Sequence, residues 1–240
     1  MAYRVLVLQH AEWQSPGKLL LQSARESRVR LHRINVSQES AADFADYDGL
    51  IILGGPFQND QEKQYPFLRE EKRLIRAWVN LNRPCLGFNL GQHLLAETAG
   101  ASIGTGYGTS IGFIDGHQTH QGKKHPLFLG VSSSFPLFKW HTRAIESPLP
   151  RNMVLLATSK DCMVEACCLE GRPHIIGLQC DNHLGAPEDV ARLIAHEMVG
   201  IGQADHPRTQ GLVEQAEVRA AVLATTFRSM MHNFFTMLKK

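Results

Sequence analysis

The stretch PCLGFNLGQHLLA, residues 84–96, decides the fold of this 240-residue chain. Its apolar start predicts a buried strand, the spacing Gly87-X-Asn89-X-Gly91 predicts a sharp turn, and the residues that follow predict a helix. This order is typical of a nucleophile elbow, in which a strained turn residue points its side chain into a site. Asn89 occupies that position, and its amide has no thiol or hydroxyl that a base could activate. The sequence therefore predicts the backbone of a nucleophilic site without its nucleophile.

Asn89 also suits the turn for a conformational reason. An elbow residue often needs a positive φ, which Asn tolerates better than most residues other than glycine. The same residues have a simpler interpretation, a glycine turn that only packs a helix against a strand. In either interpretation, Asn89 preserves the turn but cannot act as a nucleophile.

Length and composition are those of an ordinary globular protein. The 240 residues are 43% hydrophobic and 20% charged, and the formal net charge is +2 without a long basic run, so nucleic acid is not an expected partner. The start of the chain lacks a signal-peptide pattern, and no apolar run approaches the ~20 residues that span a bilayer, so no membrane contact is predicted. The five cysteines follow no disulfide framework, which predicts reduced thiols in the cytoplasm.

Short apolar runs alternate with helical patterns along much of the chain. We predict strands at 3–8, 29–34, 49–53 and 85–88 and helices at 17–26, 66–81 and 92–99, with another helix beginning near Pro187. This alternation predicts an α/β fold with a mostly parallel sheet that carries helices on both faces. Because sites in such sheets lie at the carboxyl ends of strands, Gly54-Gly55, Asn89 and Asp181 should converge there.

The middle and the end of the chain follow different patterns. Apolar runs at 111–114, 135–140, 154–157 and 163–167 predict a small antiparallel patch on the main sheet. We expect one domain over residues 1–200, and a linker followed by a long helix from Leu212 to Leu238 within residues 201–240. The apolar stripe of that helix predicts packing on its own domain, with a homodimer contact as the alternative.

Four further stretches carry motifs at ordered positions along the chain. They are VLVLQH (5–10), DYDGLIILGGP (46–56), WH followed by LP (140–141 and 149–150) and GLQCDNH (177–183). Together with residues 84–96, they resemble the class I glutamine amidotransferase family, whose elbow is Gly-X-Cys-X-Gly-His-Gln. The likeness covers roughly residues 3–200 and is greatest to small stand-alone members that resemble the glutaminase part of GMP synthase. It implies a flavodoxin-like, doubly wound sheet and the family activity, which is hydrolysis of the glutamine side-chain amide to supply ammonia.

The sequence departs from the family pattern at the residues that carry the chemistry. The family's cysteine nucleophile falls on Asn89, its histidine base on Asp181 and its orienting glutamate on His183. The glutamine that helps to hold the substrate falls on His93. Acyl transfer needs a nucleophile, a base and a group that orients the base. Because all three are replaced, we predict that glutaminase activity has been lost.

Other parts of the family site are retained. The resemblance places the backbone donors of an oxyanion pocket at Gly55 and Leu90, where the following helix favours an anion or a carbonyl group. Gly55, Leu90 and His93 are therefore candidate ligand-binding residues, for a glutamine-like or carboxylate small molecule. The predicted function is that of a non-catalytic binding or regulatory protein. The alternative is a divergent hydrolase that uses Asp181 or His183 as a base and water as the nucleophile.

No other group in the sequence is well placed to replace the lost nucleophile. Cys85 precedes Asn89 by four residues, ~13 Å along an extended strand, and Cys180 should face away from its neighbour Asp181. We predict neither a cofactor nor a metal ion, because no spacing of His, Cys and Asp matches a known ligand pattern. The sequence has no recognisable synthetase domain to receive ammonia, so a synthetase partner would have to be another chain.

Overall fold

A computed structural model describes residues 2–39, 46–201 and 209–238. Within these ranges the chain forms eleven strands, five α-helices and several short 3-10 turns. The strands are β1 (Arg4–Gln9), β2 (Arg30–Asn35), β3 (Gly49–Ile52), β4 (Cys85–Phe88), β5 (Ile103–Gly104), β6 (Ser110–Gln118), β7 (Ser134–His141), β8 (Ala144–Ile145), β9 (Met153–Thr158), β10 (Ala166–Leu169) and β11 (Arg172–Leu178). The helices are α1 (Lys18–Glu26), α2 (Phe67–Asn80), α3 (Leu90–Thr98), α4 (Pro187–Ile201) and α5 (Leu212–Thr236).

Nine of these strands form one sheet, in the order β2-β1-β3-β4-β11-β10-β9-β6-β7. Strands β2, β1, β3, β4 and β11 are parallel neighbours. Strands β10, β9, β6 and β7 extend this block through antiparallel pairs. The short strands β5 and β8 form a separate antiparallel pair. The predicted α/β fold, with a parallel sheet and an antiparallel patch joined to it, is confirmed.

Alternate residues of the central strands enter two cores. In β1, Val5 and Val7 enter the core beneath α1, α4 and α5, whereas Leu6 and Leu8 enter the core beneath α2 and α3. Successive side chains of a strand point to opposite faces, so a strand covered on both sides must be apolar throughout. This two-sided cover explains the continuous apolar runs. It also leaves the loops at the strand ends as the places where polar side chains can gather.

The C-terminal helix α5 packs on the same face of the sheet as α1 and α4. Its buried stripe belongs to the core on that face: Ala216, Leu223, Phe227, Met230 and Phe234. Residues 202–208 of the predicted linker lie outside the described residues. The division of the chain near residue 200 and a homodimer through α5 both stay predictions. No helix within the described ranges is both long and apolar enough to cross a membrane.

One strand lies later in the chain than predicted. Strand β10 begins at Ala166, whereas the apolar run begins at Met163. The segment before it is a turn organised by Ser159, whose hydroxyl accepts hydrogen bonds from the N–H groups of Asp161 and Cys162 and donates one to the Glu165 carboxylate next to the strand. Side-chain oxygens of this kind stabilise turns at the expense of the strand ladder. The apolar pattern alone could not show which residues of the run belong to the turn and which to the strand.

Candidate functional site

Asn89 stands at the turn between β4 and α3 with φ 48° and ψ −109°. Few residues other than glycine adopt a positive φ without strain. Its N–H donates to the Leu178 carbonyl at 2.8 Å, which ties the turn to the end of β11. The flanking glycines are in close contact, since a Cβ added at Gly87 would lie 2.5 Å from the Gly91 backbone. Helix α3 therefore begins directly after the turn, at Leu90, and not at the later residue that the sequence predicted.

Gly91 allows the elbow helix to pack directly on β3. A Cβ added there would lie 2.3 Å from the Ile52 carbonyl oxygen, a backbone atom that has no alternative rotamer. Alanine is usually the better helix residue, yet we expect Gly91→Ala to lower the free energy of unfolding by about 2 kcal/mol, because the overlap must displace the strand or the helix. Urea unfolding measures this change. Gly106→Ala is the control, since its added Cβ meets only a flexible side-chain atom of Glu146 at 3.8 Å; equal effects of the two variants would contradict the close approach.

The side-chain amide of Asn89 is held by two acceptors. Its Nδ2 lies 2.7 Å from Asp181 Oδ2 and 2.9 Å from the Trp140 carbonyl oxygen. A backbone carbonyl only accepts hydrogen bonds, so the nitrogen of the amide must face these partners. Both N–H bonds are thereby used. No described residue donates to Oδ1, and this oxygen is the remaining hydrogen-bonding atom that Asn89 offers to a ligand.

Asp181 lies beyond the end of β11 and is almost completely buried. Its N–H donates to the Phe138 carbonyl at 2.9 Å, which holds its backbone beside strand β7. A Cβ added at Gly54 would lie 2.7 Å from Asp181 Oδ1, so this carboxyl packs directly against the glycine turn. Burial raises the pKa of Asp181 to about 7, although the hydrogen bond from Asn89 and the charge of Lys139 oppose the rise. The group is therefore poised to gain or lose a proton near neutral pH.

His183 lies beside Asp181 and has no solvent exposure. Its Nδ1 accepts the N–H of Gly17 at 3.3 Å, which places the ring proton on Nε2. That Nε2 is 3.9 Å from Asp181 Oδ1, beyond hydrogen-bond distance. Burial, aided by the charge of Arg192, lowers the pKa of His183 to about 3, so the ring is neutral. The structure thus brings Asn89, Asp181 and His183 together, in that spatial order.

The Gly54-Gly55 turn follows β3 and lies against both Asn89 and Asp181. A Cβ added at Gly54 would be 3.4 Å from Asn89 Cβ. Among the described residues the Gly55 N–H has no hydrogen-bond acceptor. Helix α3 begins at Leu90, and the Asn89 side chain makes no capping bond to it, so its first amides are also available. These donors, at the positive end of a helix, suit a carbonyl oxygen or an anion. We name this turn, together with Asn89, Asp181 and His183, the elbow site.

The side chains of His93 and Gln92 leave α3 in different directions. His93 Nε2 is 3.1 Å from Gln179 Oε1, and burial lowers the pKa of His93 to about 4. The Gln92 amide points instead towards the strand bearing Cys167, at 3.8 Å from its sulfur. The side chain at position 93 is therefore the one that reaches Gln179, between the end of β11 and Asp181. Gln179 Nε2 has no partner within the described part of the chain.

A buried ion pair beside the site was missed in the sequence. Lys139 in β7 and Glu165 before β10 are both fully buried and are paired with each other. The charge of Lys139 also acts on Asp181 and His93, where it lowers the pKa of each group. A single lysine in an apolar run gives no signal of burial, and only the sheet pairing brings its partner to it. Lys139 is consequently part of the electrostatic environment of the elbow site.

None of the five cysteines is placed to act as a nucleophile. All five are free and buried. Burial raises the thiol pKa of each one, to about 12 for Cys180, the cysteine next to Asp181. Thiols of this kind are inert because the thiolate is the reactive form. Within the described ranges, no group of three or more His, Cys, Asp or Glu side chains is arranged to hold a metal ion.

The sequence resembles proteins of one family along most of its length. The family model for glutamine amidotransferase class-I matches residues 14–183. One subunit of the glutamine-hydrolysing GMP synthase from Methanoculleus marisnigri is 26% identical over 161 residues, which are 67% of this chain and 79% of that protein. The corresponding subunit from Archaeoglobus fulgidus is 28% identical over 134 residues, which are 56% of this chain and 65% of that protein.

Solved structures agree with this assignment at the level of the fold. A glutamine amidotransferase from Thermotoga maritima superimposes with a TM-score of 0.84 at 24% identity, with 100% of both chains covered. A glutamine amidotransferase from Methylobacillus flagellatus gives a TM-score of 0.83 at 22% identity and covers 100% of this chain and 97% of that one. Since the family model spans most of the sequence and the elbow geometry is intact, this chain belongs to the class I glutamine amidotransferase family.

Proposed function

We propose that this chain binds a glutamine-like carboxamide at the elbow site without hydrolysing it, and acts as a binding or regulatory protein. The observation that carries the proposal is Asn89. It occupies the nucleophile position, and its amide donates both N–H bonds to Asp181 and Trp140. A group held in this way supports the turn and offers a ligand only its carbonyl oxygen.

Loss of hydrolysis follows from the chemistry of the three positions. An amide forms no acyl-enzyme, and no thiol lies at the elbow. Asp181 accepts a hydrogen bond from Asn89, and His183 is a neutral ring 3.9 Å from that carboxyl. Neither residue therefore reproduces an imidazole base that is oriented by a carboxylate.

Binding is supported by the groups that remain at the elbow site. The N–H groups of Gly55 and Leu90 can donate to a carbonyl oxygen. Asn89 Oδ1 can accept from an N–H group of the same ligand. A primary carboxamide supplies both a carbonyl oxygen and an N–H donor, whereas an ionised carboxylate would place an oxygen against Asn89 Oδ1. We therefore favour a glutamine-like ligand over a carboxylate.

A partner chain is part of the proposal. The relatives named above are single subunits of GMP synthases, and we infer that this chain also associates with a synthetase-type partner. In that role it would report or regulate amide binding and would not deliver ammonia. The buried, unpaired cysteines support a reducing compartment, and we place the protein in the cytoplasm.

An ammonia-release assay with glutamine, together with calorimetric binding of glutamine and glutamate, tests the proposal. We expect no ammonia above background, and tighter binding of glutamine than of glutamate. Asn89→Ala should weaken glutamine binding about tenfold, because it removes the ligand's acceptor. Asn82→Ala is a matched control, since Asn82 also has a positive φ, of 55°, and lies outside the elbow site.

These measurements distinguish a binding protein from a thiol-dependent glutaminase and from a divergent hydrolase. Absence of glutamine binding, or equal losses in both alanine variants, would contradict a carboxamide site at Asn89. Turnover that is lost on cysteine alkylation would mean that a thiol acts as the nucleophile after all. Turnover that survives alkylation would support the divergent hydrolase.

One observation favours that second function. Burial raises the pKa of Asp181 to about 7, which is the range expected of a general base. Asp181 Oδ1 also has no hydrogen-bond partner among the described residues, so it could take a proton from water. In a hydrolase of this kind, Asp181→Asn would abolish turnover, whereas in the binding protein it would leave the ammonia signal at background.

A further inference from the structure

His10 follows β1 and contacts the glycine turn of the elbow site from the side of the first strand. It is 1% exposed, and its Nδ1 lies 3.0 Å from the Gly54 carbonyl oxygen. Its Nε2 lies 3.0 Å from each carboxylate oxygen of Glu71, a buried residue of α2. The rings of Phe57 and Phe67 pack around the imidazole, with centroids 6.4 Å away. His10 thus connects the glycine turn to a buried carboxylate.

The two partners define the protonation of the His10 ring. A carbonyl oxygen and a carboxylate are both acceptors, so each ring nitrogen must carry a proton in order to bond to them. Burial by itself lowers the pKa of His10. The Glu71 carboxylate and the hydrogen bonds to Glu71 and Gly54 outweigh that effect, and the pKa is raised overall. His10 is therefore an imidazolium paired with the Glu71 carboxylate.

The Gly54 carbonyl and the Gly55 N–H belong to one peptide unit. In a trans peptide these two groups point in opposite directions. A bond that holds the Gly54 oxygen on His10 therefore directs the Gly55 N–H away from His10. Close packing limits rotation of this peptide, since a Cβ added at Gly55 would lie 2.8 Å from His10 Cβ.

We propose that His10 and Glu71 form a positioning pair that orients the Gly54–Gly55 peptide and polarises it, so that the Gly55 N–H is a stronger donor to a ligand carbonyl. The pair does not touch the ligand. A cation at the carbonyl end of a peptide draws electron density away from its N–H, and linked hydrogen bonds of this kind strengthen each other. This inference rests on the proposed function for the identity of the ligand, and on the geometry of His10 for the rest.

Nuclear magnetic resonance of nitrogen-15 histidine tests the charge of His10 in the wild-type protein, without any ligand. We expect His10 to lose its second ring proton at a higher pH than an ordinary imidazole, whose pKa is about 6.5. Loss of that proton at or below the ordinary pH would overturn the proposal. This measurement does not depend on whether the elbow site binds glutamine.

Glu71→Gln tests the effect of that charge on the turn. The amide keeps the shape of the carboxylate and its contact with Nε2, but it no longer stabilises an imidazolium. We expect the Gly55 amide-proton resonance to shift upfield and glutamine binding to weaken about tenfold. Glu70→Gln is the control, because Glu70 is next to Glu71 in the sequence but is exposed and pairs with Arg73. This control should change neither readout.

The double variant His10→Asn/Glu71→Gln guards against a simple folding defect. The Asn side-chain nitrogen can occupy the place of Nδ1 and donate to the Gly54 carbonyl, and no buried charge is left without a partner. We expect this double variant to fold. Its Gly55 amide-proton resonance should still lie upfield of the wild-type position, but by less than in Glu71→Gln. Unchanged Gly55 resonance and unchanged glutamine affinity in Glu71→Gln would overturn the positioning role. If wild-type protein binds no glutamine while Glu71→Gln still shifts the Gly55 resonance, the proposed function fails and the positioning pair stands.

Discussion

Rebuilding all three triad positions should create glutamine hydrolysis at roughly a thousand times the wild-type background, whereas Asn89→Cys alone should stay near that background. The single variant supplies a thiol at the elbow but leaves Asp181 in place of the base. A carboxylate beside a thiol disfavours the thiolate that must attack the substrate. The triple variant Asn89→Cys/Asp181→His/His183→Glu supplies the nucleophile, the base and the group that orients the base.

The geometry of the elbow site supports this expectation. Asn89 Nδ2 and Asp181 Oδ2 are already 2.7 Å apart, so side chains at these positions reach each other. Positions 181 and 183 are also neighbours, with 3.9 Å between Asp181 Oδ1 and His183 Nε2. Ammonia release measures the gain, and the double variant Asp181→His/His183→Glu, which lacks the thiol, is the control. Strong activity in Asn89→Cys alone would show that another histidine, such as His93 or His141, already serves as the base.

Replacing Asp181 with asparagine should stabilise the protein at about pH 8, by an amount on the order of 4 kcal/mol. Burial raises the pKa of this carboxyl from 3.8 to about 7. A raised carboxyl pKa means that the folded state holds the proton more tightly than the unfolded state, so stability falls as the pH rises between these two values. Asparagine stays neutral and can still accept the hydrogen bond from Asn89, so it avoids the cost of a buried charge.

The pH dependence distinguishes this effect from ordinary repacking. Below about pH 4, Asp181 is protonated in both states, and the difference between Asp181→Asn and wild type should approach zero. Urea unfolding at several pH values measures the difference. Asp115→Asn is the control, because Asp115 is exposed and forms a surface pair with Arg219; we expect it to change stability by less than about 0.5 kcal/mol at every pH. A stabilisation by Asp181→Asn that does not depend on pH would contradict the raised pKa.

Much of the fold is encoded in local patterns. The apolar runs that became β1, β3 and β4 are continuous because helices cover both faces of these strands, and such runs are visible without any knowledge of the partners. The elbow is equally local, since Gly87 and Gly91 are needed wherever a helix leaves a strand this closely. Element types followed from these patterns, and the family motifs lie in the expected order along the chain.

The antiparallel half of the sheet was less predictable. Its strands are joined by turns whose side-chain hydrogen bonds compete with the ladder, as Ser159 does before β10. The pair of β5 with β8 consists of two residues in each strand, too few for an alternating pattern to be recognised. The order of the strands depends on pairing between distant segments, which no short window of sequence records.

By itself the sequence determined the α/β architecture, the elbow turn and the residue types at positions 89, 181 and 183, because these depend on periodicity, glycine spacing and side-chain chemistry. Only the tertiary structure decided the charge of those groups. Asn89 and Asp181 are 92 residues apart, and His10 and Glu71 are 61 residues apart, yet each pair forms a buried hydrogen bond. The pKa of a buried group is governed by lost solvation and by nearby charges. Both of these depend on which distant segments the folded sheet places side by side.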